Sequence, residues 1–154
     1  KTVNPTASYI CLYIGLNKSA EELKLSNTNL WIYPSYNHDL NLANFMKDTS
    51  HELPIVYISF PSAKDPAFKD EHPGYATMEA ITVAKWDEYN NWKNKPWKNR
   101  GEDYDAMKKK LSNQILKKVY KHVLLIRFFQ LFPIVLKGFY NSYTLFLHTH
   151  PIKK

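Results

Sequence analysis

Apolar residues recur with the spacing of β-strands in four separate stretches of the chain. These stretches are residues 9–16, 30–33, 55–60 and 77–84. The first ends near Gly15, and the second is followed at once by Pro34, which has no backbone N–H to donate to a neighbouring strand. The pattern therefore predicts four strands, separated by segments that are long enough to hold helices.

The longest helical pattern runs over residues 102–122. Its apolar positions recur every three or four residues and form one stripe along the helix. The stripe consists of Tyr104, Met107, Leu111, Ile115 and Val119. Acidic residues occupy the first turn and lysines the last turns, which is the arrangement that the helix dipole favours.

Shorter helical segments are predicted from local signals. A helix over residues 40–48 follows Asp39, which we interpret as its cap. Its inward-facing residues are predicted to be Leu42, Phe45 and Met46. Ser19 and Glu22 have the spacing of a capping box, which predicts a single helical turn, and residues 87–93 predict a brief helix. Together these elements indicate an α+β fold with a mixed or mainly antiparallel sheet that helices cover on one face.

The connection over residues 60–76 is long for two neighbouring strands, which a turn of two residues can join. Pro61 and Pro66 fix the backbone φ angle and remove donors, so we expect a shaped loop. Gly74 follows Pro73 at a point where a turn with positive φ is expected. An ordinary surface loop is the alternative to a functional one.

Length and composition fit one modest domain with a core. The chain has 154 residues, of which 44% are hydrophobic and 15% aromatic, so it does not fall in the disordered class. The single cysteine, Cys11, excludes an internal disulfide. Charge is unevenly spread, because residues 1–84 hold 6 Lys and Arg against 9 Asp and Glu, whereas residues 85–154 hold 15 against 5. We interpret the basic half as a solvated helix face, with a small basic module for anionic lipid or nucleic acid as the alternative.

Residues 123–154 differ in character from the rest of the chain, since they contain no acidic residue and many large apolar ones. Arg127 and Pro133 interrupt the apolar run of residues 123–136, which is too short for an ordinary membrane-spanning helix. We therefore treat residues 1–122 as one partial domain and residues 123–154 as a divergent, apolar and basic tail. We hypothesise that this tail is not native to the fold.

A series of short motifs gives the chain a resemblance to a known family. The motifs are LYIGL at 12–16, EEL at 21–23, NLWIY at 29–33, FPSAKDP at 60–66, PG at 73–74, TM at 77–78, WK at 92–93 and RGEDY at 100–104. Over roughly residues 7–122 their order and spacing resemble the retinol saturases, which are FAD-dependent enzymes related to the carotenoid isomerases and phytoene desaturases. A fragment of an isomerase or desaturase is the alternative within this group, and the motif at 100–104 favours the retinol enzymes.

The resemblance implies a complete enzyme that binds FAD, takes electrons from a donor for which NAD or NADP is the candidate, and saturates the 13,14 double bond of all-trans-retinol. It also implies that retinol or a related polyene lipid is the partner, that the protein contacts a membrane surface, and that it is located at the endoplasmic reticulum membrane, or is otherwise intracellular. No nucleic acid is expected as a partner. Residues 1–122 would form part of the substrate domain of an amine-oxidase-like fold.

Aromatic strand residues are the substrate-side candidates that follow from this resemblance. They are Tyr13, Trp31, Tyr57 and Phe60. One sheet face that carries them would line the dry cavity that a polyene needs, and ordinary core packing is the alternative for each. The sequence does not identify catalytic residues. No metal site is expected, because His148 and His150 alone make a poor ligand set.

The spacing of the glycines indicates whether this chain can bind a dinucleotide cofactor. The four glycines are isolated, so the chain lacks the Gly-x-Gly-x-x-Gly turn that holds a dinucleotide pyrophosphate. We therefore expect no cofactor-binding residue in this chain, the FAD-binding elements to lie outside it, and the chain to be inactive alone.

Overall fold

A computed structural model of the chain describes residues 8–96, 99–123 and 144–148. The strands are β1 (Ser8–Leu16), β2 (Leu30–Ile32), β3 (Val56–Ser59), β4 (Ala76–Ala84) and β5 (Thr144–His148). They form one sheet in the order β2-β3-β4-β1-β5, and each neighbouring pair is antiparallel. The predicted α+β class with an antiparallel sheet is confirmed.

Four α-helices and one 3₁₀ helix complete the described fold. They are α1 (His38–Lys47), α2 (Pro61–Lys64), α3 (Phe68–Glu71), the 3₁₀ helix Trp86–Trp92 and α4 (Glu102–His122). Helix α4 has the bounds that its apolar stripe and its charged ends predict, with acidic residues in the first turn and Lys121 and His122 in the last. Among the described residues, no helix combines the length and the apolarity needed to cross a membrane.

The core lies on one face of the sheet. Successive strand residues point to opposite faces, and the even-numbered residues of β1 to β4 point to the core. The most buried of them include Ile10, Leu12, Ile58, Met78 and Ala80. The side chains that pack against them are Phe45 of α1, Tyr89 of the 3₁₀ helix, and Ile115 and Val119 of α4. Helices therefore cover this face of the sheet, as predicted.

The start of α1 differs from the prediction. Asn37, and not Asp39, caps the helix, because the Asn37 Oδ1 accepts a hydrogen bond of 3.1 Å from the Leu40 backbone N–H. Asp39 lies inside the first turn, where its charge still favours the helix dipole. Leu42 is 40% exposed and not inward as predicted, whereas Phe45 is buried and Met46 packs partly against the core.

The long connection between β3 and β4 is shaped, as predicted, but it contains helices α2 and α3. Pro61 is the first residue of α2, where a missing N–H costs nothing. Ser62 fastens α2 to the start of β4, because its Oγ accepts from the Thr77 N–H at 2.9 Å and donates to the Thr77 carbonyl at 3.3 Å. Gly74 has a φ of +78°, in the left-handed region that favours glycine, as expected.

Two further local predictions have clear outcomes. Ser19 and Glu22 form the predicted capping box, in which the Glu22 N–H donates to the Ser19 Oγ and the Ser19 N–H donates to the Glu22 carboxylate. The segment predicted as a helix at 87–93 is a 3₁₀ helix that begins one residue earlier. Within the predicted tail, residues 144–148 form β5 against β1, and most of the tail lies outside the described residues.

Candidate functional site

The face of the sheet opposite the core carries a continuous row of apolar side chains. Trp31 is paired with Tyr57 between β2 and β3, and Tyr57 is paired with Ile81 between β3 and β4. Ile81 is paired in turn with Cys11 of β1. We call these four residues the apolar row. Since adjacent strands lie about 4.8 Å apart, the row extends roughly 14 Å across the sheet.

Exposure along the apolar row falls from the sheet edge inward. Trp31 is 61% exposed, Tyr57 and Ile81 are half-buried, and Cys11 is buried. The rings of Trp31 and Tyr57 lie in contact, with centroids 4.7 Å apart and an interplanar angle of 60°. Tyr9 lies on the same face and is also exposed. Exposed apolar side chains on a sheet face are candidate contacts for a ligand or a partner.

A second row of side chains, all polar, lies beside the apolar row on the same face. Ser59 of β3 is paired with Glu79 of β4, and Glu79 is paired with Tyr13 of β1. Asn29 directly precedes β2, next to Ser59. We call Asn29, Ser59, Glu79 and Tyr13 the polar row. It is two residues along each strand from the apolar row, which corresponds to about 7 Å.

Lys64 lies over the polar row. Its Nζ donates to the Oγ of Ser59 at 2.9 Å and also donates to the Oδ1 of Asn29. Both partners are neutral, and the ion pairs formed among the described residues do not include Lys64. The last residue of α2 therefore holds its positive charge at a fixed position above the sheet.

Tyr13 and Cys11 interact with each other at the other end of the polar row. The pKa of Tyr13 is raised to about 12 by its hydrogen bond with Cys11, by burial of its ring, and by the charges of Cys11 and Glu79. Burial raises the pKa of the Cys11 thiol, the Tyr13 hydrogen bond lowers it, and the Glu79 charge raises it, with a net shift upward. Both groups are therefore neutral at pH 7, so the Cys11 thiol is poorly suited to act as a nucleophile.

Three of the four substrate-side candidates share this face. Tyr13, Trp31 and Tyr57 all lie on it, whereas Phe60 is 2% exposed and belongs to the core on the opposite side. Phe60 follows the last residue of β3, so the alternation of side chains turns it away from the other three. Glu79 was not predicted as a site residue, although its even spacing from Ile81 and Thr77 places all three on one face.

A groove of about 310 Å³ lies between the capping-box turn and the α2–α3 connection. Lysines and carboxylates both line it, among them Lys24, Lys69, Glu21 and Asp65. Its mixed charges do not favour one class of ligand. Within the described ranges, no group of three or more His, Cys, Asp or Glu side chains is placed to hold a metal ion.

The described residues do not fit the pyrophosphate of a flavin dinucleotide. Gly15 lies inside β1, paired with Thr77, and does not lead into a helix. Gly101 does precede α4, but Glu102, Asp103 and Asp105 fill the first turn of that helix and would repel a phosphate. Helices α2 and α3 have four residues each and are too short to offer a comparable N-terminus.

Comparison with curated proteins gives a consistent set of relatives. The chain is 32% identical over 116 residues to an all-trans-retinol 13,14-reductase from Danio rerio, which covers 73% of the chain and 19% of that protein. The corresponding protein from Rattus norvegicus is 32% identical over 110 residues, or 69% of the chain and 18% of that protein. The chain is similar to the all-trans-retinol 13,14-reductases. The resemblance that the motifs indicated is thereby confirmed.

A further relative limits what this similarity says about activity. It is an inactive all-trans-retinol 13,14-reductase from Danio rerio, 31% identical over 121 residues, which is 75% of the chain and 20% of that protein. The chain spans about one fifth of the length of the curated relatives that it matches. No family model matches the chain, and no solved structure gives a significant match.

Proposed function

We propose that this chain is part of an FAD-dependent oxidoreductase that saturates the 13,14 double bond of all-trans-retinol. In this proposal the face with the apolar row forms one wall of the substrate site. The observation that supports it most directly is the register of Trp31, Tyr57, Ile81 and Cys11, which aligns four apolar side chains across four strands. The names of the relatives supply the substrate class.

The shape of the apolar row suits an extended polyene. A conjugated chain is long, flat and apolar, and the row offers an apolar surface of roughly 14 Å that begins with two aromatic rings. Packing against this wall would bury both the polyene and the exposed Trp31 ring, which is favourable at about 25 cal/mol per Å² of apolar area removed from water. The wall would orient the polyene and exclude water from one side of it.

In the proposed enzyme the flavin is held by residues outside this chain, since the described residues offer no pyrophosphate cradle. The flavin would supply the hydride chemistry, with NAD or NADP as the candidate electron source. The role of this chain is then to bind and orient the substrate. The endoplasmic reticulum membrane is the location that we propose with this activity, as the resemblance to the retinol saturases implies.

A small basic binding module would need free cations, and some of those in the basic half of the chain are already paired. Part of its positive charge is neutralised within the fold, because Lys118 pairs with Glu52 and Lys108 pairs with Asp105 at 3.9 Å. Lys95 pairs with Asp103 at 3.7 Å. A surface that binds polyanions needs cations that are free to face the ligand.

The test uses a complete protein in which this chain is joined to the remaining parts that its relatives have. This protein is incubated with all-trans-retinol and a reductant, and formation of the 13,14-dihydro product is followed by chromatography with mass detection. We expect product from the unaltered protein and a loss of at least tenfold in kcat/KM for Trp31→Ala. Trp86→Ala removes a Trp from the 3₁₀ helix, away from the apolar row, and serves as the matched control.

Two outcomes would contradict the proposal. Absence of product from a folded, flavin-loaded protein would assign it to the inactive relatives. Equal activity of Trp31→Ala and Trp86→Ala would mean that the apolar row does not contact the substrate.

A further inference from the structure

We propose that Lys64 and Glu79 form the subsite for the polar end of the substrate, in which Lys64 binds the ligand oxygen and Glu79 favours an alcohol over a carboxylic acid. This inference rests on the proposed function and deepens it. It assigns a binding role to Lys64, which lies in the motif at 60–66, and a specificity role to Glu79, which lies outside the motifs.

Lys64 supplies the hydrogen-bond donor of this subsite. Two of the three N–H bonds of its ammonium point to the Ser59 Oγ and the Asn29 Oδ1. These two contacts fix the otherwise flexible side chain over the outer end of β3. Since both partners are neutral, the charge of Lys64 is not cancelled, and its third N–H remains to bind a ligand oxygen.

Glu79 supplies the acceptor. It is the cross-strand partner of Ser59, so its carboxylate projects from the same face beside the position over which Lys64 is held. On its other side Glu79 is paired with Tyr13, whose pKa it contributes to raising. Lys64 and Glu79 are not joined in an ion pair, although Lys64 is bonded to Ser59 and Glu79 is the cross-strand partner of Ser59. The arrangement therefore places a donor and an acceptor side by side without direct contact.

An alcohol oxygen matches such a pair, because it accepts one hydrogen bond and donates another. A carboxylate would accept from Lys64 but would have no proton to give to Glu79, and the two negative charges would repel each other. The polar row lies about 7 Å from the apolar row on the same face, so one molecule with an apolar chain and a terminal hydroxyl can contact both.

The test measures ligand affinity, which is independent of turnover. All-trans-retinol and all-trans-retinoic acid are titrated into the complete protein, and their dissociation constants are obtained from ligand fluorescence or absorbance. We expect the unaltered protein to bind the alcohol at least tenfold more tightly than the acid. Glu79→Gln should reduce that preference about tenfold by removing the repulsion, and Lys64→Met should weaken both ligands, the acid more than the alcohol.

Controls separate this role from an effect on folding. Lys47→Met and Glu71→Gln make the same chemical changes at exposed helical positions and should leave both affinities unchanged. Lys64→Arg keeps the charge and should keep the order of preference. The ratio of the two affinities moves in opposite directions for Glu79→Gln and Lys64→Met, which a purely structural role of either residue does not produce.

The outcomes also separate this inference from the proposed function. If the unaltered protein binds retinol but Glu79→Gln and Lys64→Met leave the affinity ratio unchanged, the proposed subsite is wrong. The apolar row then remains the proposed wall of the substrate site. If the unaltered, folded protein binds neither ligand, the proposed function fails, and the subsite fails with it. A change in ratio for the control variants would likewise overturn the assignment to these two residues.

Discussion

Trp31 and Tyr57 face each other across β2 and β3, and their rings are in contact on the side of the sheet away from the core. Trp31 is nevertheless mostly exposed. A large exposed aromatic side chain contributes little to stability compared with a buried one, since most of its surface remains in water. Its contribution to binding can therefore be separated experimentally from its contribution to folding.

Trp31→Ala is predicted to reduce stability only slightly. The loss should be about 0.5–1.5 kcal/mol, the range measured for aromatic pairs. Phe60→Ala should cost about 3–5 kcal/mol, because Phe60 is fully enclosed in the core and its removal leaves a cavity. Urea unfolding followed by circular dichroism measures both values. A cost for Trp31→Ala as large as that for Phe60→Ala would show that Trp31 belongs to a packed interior.

Gly74→Ala is predicted to destabilise the fold by about 1–2 kcal/mol, because Gly74 has a φ of +78° that alanine adopts only with strain. Gly15→Ala is the matched control. An added Cβ at either position meets no atom within 4 Å, so the two sites differ in backbone conformation and not in available space. Thermal melting of both variants checks this, and equal melting temperatures would mean that the turn relaxes without cost.

Asn37→Ala is predicted to cost about 1 kcal/mol, since it removes the hydrogen bond that caps α1. Asp39→Ala should cost only a few tenths of a kcal/mol, because Asp39 acts through the helix dipole and not through a capping bond. Denaturant unfolding of the two single variants distinguishes them. If Asp39→Ala lowered the free energy of unfolding more than Asn37→Ala, Asp39 would be the capping residue of α1.

Tyr13 is predicted to make stability fall as the pH rises from about 10 to about 12. Its pKa is raised to about 12 in the folded chain, above the ordinary value of 10.0, so the unfolded chain loses this proton first. The unfolded state is then favoured until the folded state ionises as well. The stability that the protonated Tyr13 contributes is fully present below pH 10.

Tyr13→Phe should abolish this part of the decline in stability, with Tyr36→Phe, at a fully exposed position, as the control. Unfolding free energies measured across this pH range decide the question, and parallel curves for the unaltered chain and Tyr13→Phe would contradict it.

The elements that could be predicted from the sequence are those whose signals are local. Helix α4 has an apolar stripe, acids at its start and cations at its end, and these three signals agree on the same bounds. The Ser19–Glu22 capping box is equally local. The cap of α1 was missed because Asn37 and Asp39 are both good capping residues two positions apart, so the sequence does not choose between them.

The candidate site depends on information that is not local. That Trp31, Tyr57, Ile81 and Cys11 form one row follows from strand order and register, which bring together residues from distant parts of the chain. Aromatic content alone could not separate Phe60 from the other candidates, because core and surface strand positions differ only by alternation. Lys64 reaches the polar row from a short helix inside a loop, and no periodic pattern predicts such a contact.

The pairing of β1 with β4 has a consequence for how the chain folds. Ser8 pairs with Ala84 and Leu16 with Ala76, so the partner of the first strand is synthesised only after β2, α1 and β3. While the ribosome makes these segments, β1 has an unpaired backbone and apolar side chains exposed to other chains. Closing so long a loop is slow, since its entropy is lost before any contact between the strands is gained. Refolding of this domain should therefore depend on protein concentration, with association competing against closure of the sheet until β4 is in place.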